Sequence, residues 1–286
     1  MRSILLLLLG SLLSPALSQS PPPRDRPTPP RVRLRMLSEL DAVRGGEEFL
    51  VGLSYKILPH WHIYWKNPGD SGLATQANLQ APPGFEVGPL LFPGPERIRL
   101  PGDLISFAYE DEVVLFWRVT APEELGEARS FEFEASSEWL VCKEECERGE
   151  GDARLELRRA ADDEAVARDT ERFGESYDRL PQPLAALETI AVSWEGSRDK
   201  PVLILDLAEH AKLTMFPEVE SGLEWDRTTL ESGDQRVIMR RWYSLRPSEK
   251  HPLPRVRGLL AVERDDRTAF YELDLTRPRA AEKETR

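Results

Sequence analysis

The tightest constraint on the fold is a period-two alternation of side chains that ends at two cysteines. Along residues 131–136, apolar side chains alternate with acidic or hydroxyl side chains, which is the pattern of a half-buried β-strand. Residues 139–141 lead into Cys142, and Cys146 follows after the polar residues 143–145. These are the only two cysteines in the 286-residue chain. Both cysteines of the chain therefore lie at the end of this predicted strand.

The spacing of the two cysteines limits what they can do. Residues four apart in a straight strand lie roughly 13 Å from each other, whereas a disulfide needs Cα atoms about 4.4–6.8 Å apart. Cys142 and Cys146 can therefore bond only if residues 143–145 fold back as one tight turn. So small a ring stabilises by roughly 2 kcal/mol, against about 4–5 kcal/mol for a hundred-residue ring. We favour a redox-active pair, and a structural disulfide or a metal site are the alternatives.

The amino terminus has the features of a secretory signal. Arg2 gives a positive start, residues 4–13 form an apolar core, and residues 16–18 form a small-residue cleavage site. We assign residues 1–18 to a signal peptide and residues 19–30 to a proline-rich spacer. The apolar core is too short to span a bilayer. We therefore expect a soluble exported protein, in a compartment where a disulfide persists.

Composition and pattern together predict an all-β protein. The formal charge of −12 argues against nucleic acid or an anionic membrane surface as partner, because both need clustered positive charge. The 24 prolines and many short alternating runs favour strands joined by turns. We predict two β-sandwiches, at residues 31–159 and 187–280, with a tail at 281–286. Between them, residues 160–186 are predicted to be a helical linker, because apolar side chains recur at roughly helical spacing along 162–180.

The candidate strands have β-branched, aromatic or alternating character. In the first sandwich, beside the cysteine strand, they are residues 32–36, 49–57, 75–79, 85–87, 96–100, 112–120 and 154–158. In the second sandwich they are residues 189–194, 201–207, 212–216, 235–245, 255–263 and 267–275.

Four motifs in a fixed order resemble a known family. They are WHIYWKNPGDSGL from residue 61, FPGPERI from residue 92, FAYEDEV from residue 107 and WLVCKEEC from residue 139. Their order resembles the periplasmic amino-terminal domain of DsbD-type thiol–disulfide reductases, with the ScsB-like branch as the nearest match. The resemblance covers residues 32–158. The second sandwich resembles the β domain that follows in that branch, chiefly at LTMFPE, residues 213–218.

The resemblance implies an immunoglobulin-like fold and a cysteine pair that cycles between dithiol and disulfide, without a cofactor. Cys146 would form the mixed disulfide with partners and Cys142 would resolve it. A cap loop that shields the pair in the family would correspond to Ser106, Phe107, Ala108 and Tyr109, with Phe107 and Tyr109 as the lid. The three-residue spacing of the cysteines is shorter than in the best-known members of the family, so the turn must be tighter.

The resemblance also implies partners. The electron donor would be a membrane-embedded thiol reductase, and the acceptors would be thioredoxin-like or other oxidised periplasmic proteins. The sequence shows no counterpart of the family's membrane-spanning or thioredoxin-like domains. We therefore expect the donor to be a separate polypeptide.

Charges and histidines near the pair leave other functions open. Acidic residues outnumber the basic Lys143 and Arg148 around the cysteines, so neither thiol is expected to be strongly acidic. His60 and His62 would point to the same face if both lay in one strand, which permits two metal ligands. One alternative function is therefore Cu(I) handling by the cysteines and a histidine. Another is a binding or assembly module in which the disulfide only shapes a loop.

Overall fold

The computed structural model describes residues 30–162, 164–196, 201–218, 223–225, 231–232, 236–243, 255–265 and 267–276. The predicted signal peptide, all of the spacer except Pro30, and the tail lie outside the described residues. From residue 31 onward the described residues belong to one compact unit. Nearly all of its regular structure is β-strand, so the all-β prediction is confirmed.

Eleven strands are described between residues 32 and 159. They are β1 (Val32–Ser38), β2 (Ala42–Val43), β3 (Glu48–Ile57), β4 (His62–Gly69), β5 (Gln76–Gln80), β6 (Glu86–Val87), β7 (Glu96–Leu100), β8 (Leu104–Glu110), β9 (Glu112–Thr120), β10 (Ser130–Cys142) and β11 (Cys146–Arg159).

These strands form two sheets. The four-stranded sheet has the order β1-β3-β9-β6. The seven-stranded sheet has the order β2-β11-β10-β4-β8-β7, and β5 pairs with residues 134–138 in the middle of β10. The pairing is antiparallel except for the short β2–β11 contact. The strand β10 thus lies inside the seven-stranded sheet, with the cysteines at the end of its hairpin with β11.

The first core fills the space between these two sheets. Phe49 and Leu53 of β3 are buried there against Phe133 of β10 and Ile63 of β4. The rings of Phe49 and Phe133 meet edge to face with centroids 6.1 Å apart, a preferred aromatic geometry. Burying side chains of this size stabilises the fold by roughly 1.5–3 kcal/mol each.

The second half of the chain adds two further sheets among the described residues. Their strands are β12 (Gln182–Pro183), β13 (Ile190–Gly196), β14 (Pro201–Leu207), β15 (Lys212–Pro217), β16 (Leu223–Trp225), β17 (Glu231–Ser232), β18 (Arg236–Tyr243), β19 (Arg255–Arg264) and β20 (Arg267–Thr276). One sheet has the order β12-β20-β19-β15. The other has the order β13-β14-β18-β16, with β17 also paired to β18.

The sheet that contains β19 is apolar on both faces. Leu260 and Val262 of β19 belong to the core of the second sandwich, whereas Leu259 and Ala261 belong to the first core. Phe216 of β15 also belongs to the first core, and its ring lies 5.2 Å from that of Phe107. The two sandwiches therefore share a packed layer, and the predicted domain limits stay a prediction.

Residues between the two sandwiches differ from the predicted helix. They contain a 3₁₀ turn (Thr170–Phe173), one helical turn α1 (Glu175–Asp178) and a second 3₁₀ turn (Leu184–Ala186). Gly174 separates the first two with a φ of 55° and no side-chain cap. Val166 packs on the first core, whereas Phe173 packs against Phe116 on the outer side of the four-stranded sheet. The apolar side chains thus serve two different surfaces, which one helix face cannot do.

Candidate redox site

The two cysteines close the end of the β10–β11 hairpin. The strands pair without interruption from Ser130 opposite Arg158 to Cys142 opposite Cys146. Residues 143–145 form the turn, in which the Lys143 N–H donates to the Glu145 carbonyl over 3.1 Å. The sulfurs are bonded and the Cα atoms lie 4.2 Å apart. The tight turn that the spacing requires is therefore present.

The two sulfurs have very different access to solvent. Cys142 is only 2% exposed, whereas Cys146 is an exposed residue. The difference follows from the hairpin, because β10 is paired on both sides at Cys142, whereas β11 begins at Cys146 and, among the described strands, pairs there with β10 only. A visiting thiol can reach the sulfur of Cys146 far more easily than that of Cys142.

Cys142 lies on the outer face of the seven-stranded sheet. Its neighbour Val141 points into the first core, and successive side chains of a strand point to opposite faces. On the outer face Cys142 joins a small cluster with Tyr64 and Ala108, and Ile98 and Leu140 pack against it. The thiol therefore has an apolar surrounding that is separate from the main core.

The segment after β4 covers part of this cluster. A Cβ on Gly72 would lie 2.4 Å from the ring of Tyr64, so only glycine allows this contact. Gly72 also has a φ of 108°, which other residues rarely adopt. Asp70 fixes the start of the segment through a hydrogen bond of 2.8 Å from the Ile105 N–H. Gly72, the second glycine of the GDSGL motif, therefore allows the backbone to pack directly against the ring of Tyr64.

Four side chains form a row across neighbouring strands. Cys146 is opposite Cys142, Cys142 is opposite His62 of β4, and His62 is opposite Glu110 of β8. Opposite residues in antiparallel strands point to the same face, with Cβ atoms about 4.5–5.5 Å apart. The disulfide is therefore followed along the row by a buried imidazole and then by a carboxyl group.

Burial shifts the pKa values of His62 and Glu110 in this row and of Tyr64 beside it. The pKa of His62 is lowered because burial penalises the imidazolium, and the pKa of the Tyr64 hydroxyl is raised for the corresponding reason. The two groups share a hydrogen bond of 3.2 Å through His62 Nε2. Burial, followed by the charges of Glu96 and Asp111, raises the pKa of Glu110. His62 is thus a neutral imidazole at neutral pH.

The four residues of the predicted cap loop lie in a strand, and their role as a cap stays a prediction. Ser106, Phe107, Ala108 and Tyr109 all lie within β8 and are buried. Phe107 and Tyr109 point into the first core, where the Tyr109 hydroxyl donates to the Pro93 carbonyl over 2.6 Å. Ala108 belongs to the cluster of Cys142, and Ser106, two residues earlier on β8, shares its face. The small–aromatic alternation of these residues is itself a strand pattern, and its large members face away from the cysteines.

The two histidines are also placed differently from one another. His60 lies in a turn with a φ of 69°, whereas His62 begins β4 and is 4% exposed. They do not occupy one strand, so the condition under which they would share a face is not met. Within the part of the chain that the structure describes, no group of three or more His, Cys, Asp or Glu residues is placed to hold a metal ion.

A polar groove continues along the same outer face. It has a volume of about 500 Å³, and its lining side chains are amide, hydroxyl or acidic apart from one glycine: Gln76, Asn78, Ser136, Ser137, Glu138, Glu150, Gly151 and Asp152. Glu138 and Glu150 are directly opposite each other on β10 and β11. The outer face thus changes from apolar at the cysteines to acidic farther along the hairpin.

A comparison with protein families identifies the part of the chain that holds this site. Residues 35–156 match the model for the amino-terminal region of the thiol:disulfide interchange protein DsbD. This part of the chain is a DsbD-type amino-terminal domain. The match contains both cysteines, and it makes the domain a thiol–disulfide interchange module with an immunoglobulin-like sandwich. A search of curated proteins found no relative.

One solved structure supports the same fold. The N-terminal periplasmic domain of ScsB from Proteus mirabilis superposes with a TM-score of 0.58 and 14% identity, over 85% of this chain and 93% of that chain. This likeness extends beyond the DsbD-type domain into the second sandwich. The chaperones YadV and DraB, the latter from E. coli, give TM-scores of 0.22 and 0.21 at 11% identity, over 84% of this chain and 99% and 100% of theirs.

Sequence reasoning found the cysteines but missed their surroundings. Tyr64 and Ile98 were not expected beside Cys142, whereas Ala108 was named in the predicted cap loop. The alternation of His62, Ile63 and Tyr64 carries a signal, because its first and third members share a face. No helix among the described residues is long and apolar enough to cross a membrane.

Proposed function

We propose that this chain is an exported thiol–disulfide interchange protein. It relays reducing equivalents through Cys142 and Cys146, from a membrane-embedded thiol reductase to oxidised periplasmic proteins, thioredoxin-like proteins among them. One observation carries the proposal: a disulfide at a hairpin end joins one exposed and one buried cysteine. The DsbD-type domain supports it, and so does the structural likeness to ScsB, whose amino-terminal domain is periplasmic.

The asymmetry of the pair supports different roles for the two cysteines. In the oxidised protein, the thiolate of the reductase attacks the exposed Cys146 sulfur, and Cys142 leaves with the electron pair. A second thiol of the reductase then frees Cys146 and completes the dithiol. In the reverse sense, Cys146 attacks an oxidised client and Cys142 resolves the mixed disulfide. Cys146 is thus the contact cysteine and Cys142 the resolving cysteine.

The charges at the hairpin end suit a carrier that does not itself have a strongly activated thiol. Glu144, Glu145 and Glu147 are exposed around Cys146, with Lys143 as the basic member of the turn. Negative charge near a thiol disfavours the thiolate. Disulfide exchange then depends on the reactive thiolate of the partner and on the access that the turn provides.

Trapping of mixed disulfides tests the proposal. A Cys142→Ala variant keeps the exposed Cys146 but cannot resolve, so partners should accumulate in covalent complexes that reducing agents release. The matched control is Cys146→Ala, which leaves only the buried thiol and should trap no partner. Capture by neither variant, or capture by Cys146→Ala instead, would contradict the assignment.

The reduction potential provides an independent test. A carrier must be reducible by a partner thiol, so its potential should lie above about −300 mV. A structural disulfide is more stable and has a potential below that value. The measurement equilibrates the full protein with dithiothreitol redox buffers and quantifies free thiols. A value well below about −300 mV would favour a bond that only shapes the hairpin.

A further inference from the structure

The resolving cysteine presents a chemical problem. A buried thiol in an apolar surrounding has a raised pKa, because burial penalises the thiolate. Cys142 is 2% exposed, and its outer-face cluster contains Tyr64, Ala108, Ile98 and Leu140. Resolution of a mixed disulfide nevertheless needs the thiolate as nucleophile. A group beside Cys142 must therefore take its proton.

We propose that His62 is the general base for Cys142. The observation behind the proposal is the register of β4 and β10, which places the two residues directly opposite each other on the outer face. Opposite Cβ atoms are about 4.5–5.5 Å apart, so a thiol and an imidazole in these positions are within reach of a hydrogen bond. This inference rests on the proposed interchange function and names a further residue for it.

The surroundings of His62 fit a proton acceptor. The ring is neutral at neutral pH because of its burial, so it has a free lone pair. The Tyr64 hydroxyl lies 3.2 Å from Nε2 and orients the ring. When Nε2–H donates to that hydroxyl, Nδ1 is the nitrogen that accepts a proton.

Other titratable groups face His62 from the neighbouring strands. Glu110 of β8 is directly opposite on the side away from Cys142, and its carboxylate would stabilise an imidazolium when one forms. Cys146 is the next residue beyond Cys142 in the row. His60 lies in the preceding turn and interacts electrostatically with Glu110. The row therefore places the base His62 next to the thiol of Cys142, and the carboxylate of Glu110 on the other side of His62.

The proposed step balances in protons and electrons. In a mixed disulfide, Cys146 is bonded to the sulfur of a client. The Cys142 thiol gives its proton to His62, its electron pair forms the bond to the Cys146 sulfur, and the client thiolate leaves. The cysteine pair loses two electrons in all and the client disulfide gains them. In the opposite direction, the protonated His62 returns the proton to the departing Cys142.

The test uses an aromatic disulfide, dithiobis(nitrobenzoate), on the fully reduced full-length protein. The first thionitrobenzoate leaves when Cys146 attacks, and the second leaves when Cys142 resolves. A His62→Gln variant should release the first at the rate of the unchanged protein and the second at least about tenfold more slowly, since general bases contribute about 10²–10⁴-fold. Its second phase should keep accelerating into alkaline pH, whereas that of the unchanged protein should level off near neutrality.

Controls keep the result interpretable. His60→Gln changes the neighbouring histidine of the turn and should leave both phases unchanged. Folding is checked by circular dichroism and by urea unfolding; if His62→Gln does not fold, the pH profile of the unchanged protein decides alone. An equal second phase in His62→Gln and the unchanged protein, or a profile without a plateau near neutrality in the latter, would overturn the proposal. Partner capture by Cys142→Ala lacks this step, so the proposed function and the role of His62 can fail separately.

Discussion

The two faces of the seven-stranded sheet use neighbouring residues for opposite purposes. On the inner face, Val141, Ile63 and Phe133 pack into the first core. On the outer face, Cys142 is the sequence neighbour of Val141, and His62 is the sequence neighbour of Ile63. Cys142 belongs to a small cluster separate from the core, and His62 is directly opposite Cys142 on the next strand. The inner face is packed with buried aromatic and aliphatic side chains. The outer face carries the cysteine pair and the titratable side chains of His62 and Glu110.

The inner face of the sheet therefore provides stability and the outer face provides the chemistry, although the same strands contribute residues to both faces. The strand β10 contributes to both in strict alternation, from Phe131 to Cys142. A substitution on its inner side should affect folding. A substitution on its outer side should affect disulfide exchange with little loss of stability.

The largest expected effect on stability is at Phe133. Its side chain is fully buried between Phe49 and Phe85, with ring centroids 6.1 and 5.4 Å away. Phe133→Ala should lower the free energy of unfolding by about 3–5 kcal/mol, because it leaves a cavity in addition to the lost burial. Urea unfolding monitored by fluorescence measures it. The control is Glu132→Ala on the exposed side of β10, expected within about 0.5 kcal/mol; equal losses would refute the division by face.

Loss of the disulfide should have a smaller effect. The ring it closes is short, with a sequence separation of four, so the chain-entropy model gives about 2 kcal/mol. Unfolding of the full protein with and without a reducing agent measures this difference. The double variant Cys142→Ala, Cys146→Ala should show no response to the reducing agent. A loss as large as that of Phe133→Ala would mean that the outer-face bond holds the fold together.

Many of the strands were predictable because they have a local pattern, whereas β4 and β8, which flank the site, were not among the predicted strands. The alternation that predicted residues 49–57 gives β3, and the β-branched run at 112–120 gives β9. The reach of a disulfide predicted the tight turn at residues 143–145 for a bonded pair, whereas the strand after it begins at Cys146 and not at residue 154 as predicted. The helix over 162–180 did not follow, because Val166 and Phe173 pack on different clusters, and spacing in sequence does not show how many surfaces a segment contacts.

Parts of the candidate site depended on pairing that the sequence does not state. Cys142 and His62 are far apart in the chain, and only the register of β4 against β10 puts them side by side. The cap loop depends on pairing in the same way, since the family motif located Ser106 to Tyr109 near the site without showing which of their side chains face it. The packing of Phe216 onto Phe107 is a contact between distant strands and has no local signal.

The third prediction concerns the response of the outer face to acid. His62 has a lowered pKa in the folded protein because of burial, relative to an ordinary value of 6.5. The unfolded chain therefore binds a proton more readily. This contribution to stability is fully present above about pH 6.5 and is lost as the pH falls below it toward the folded pKa. A His62→Gln variant should show a weaker decline below about pH 6.5 in urea unfolding, and identical pH profiles would contradict the buried neutral imidazole.

The smallest expected effect is at the acidic end of the outer face. Glu138 and Glu150 are directly opposite each other, and like charges in this position destabilise a sheet by a few tenths of a kcal/mol. Glu138→Gln should therefore stabilise the protein slightly at low ionic strength, and the gain should disappear in about 1 M salt, where charges are screened. Glu132 is the matched control, because it is opposite Glu156 but has Arg154 within 3.9 Å. Glu132→Gln should bring no gain. If Glu138→Gln destabilises the protein instead, this end of the outer face contributes packing, and the contrast between the two faces would be limited to the surroundings of the cysteines.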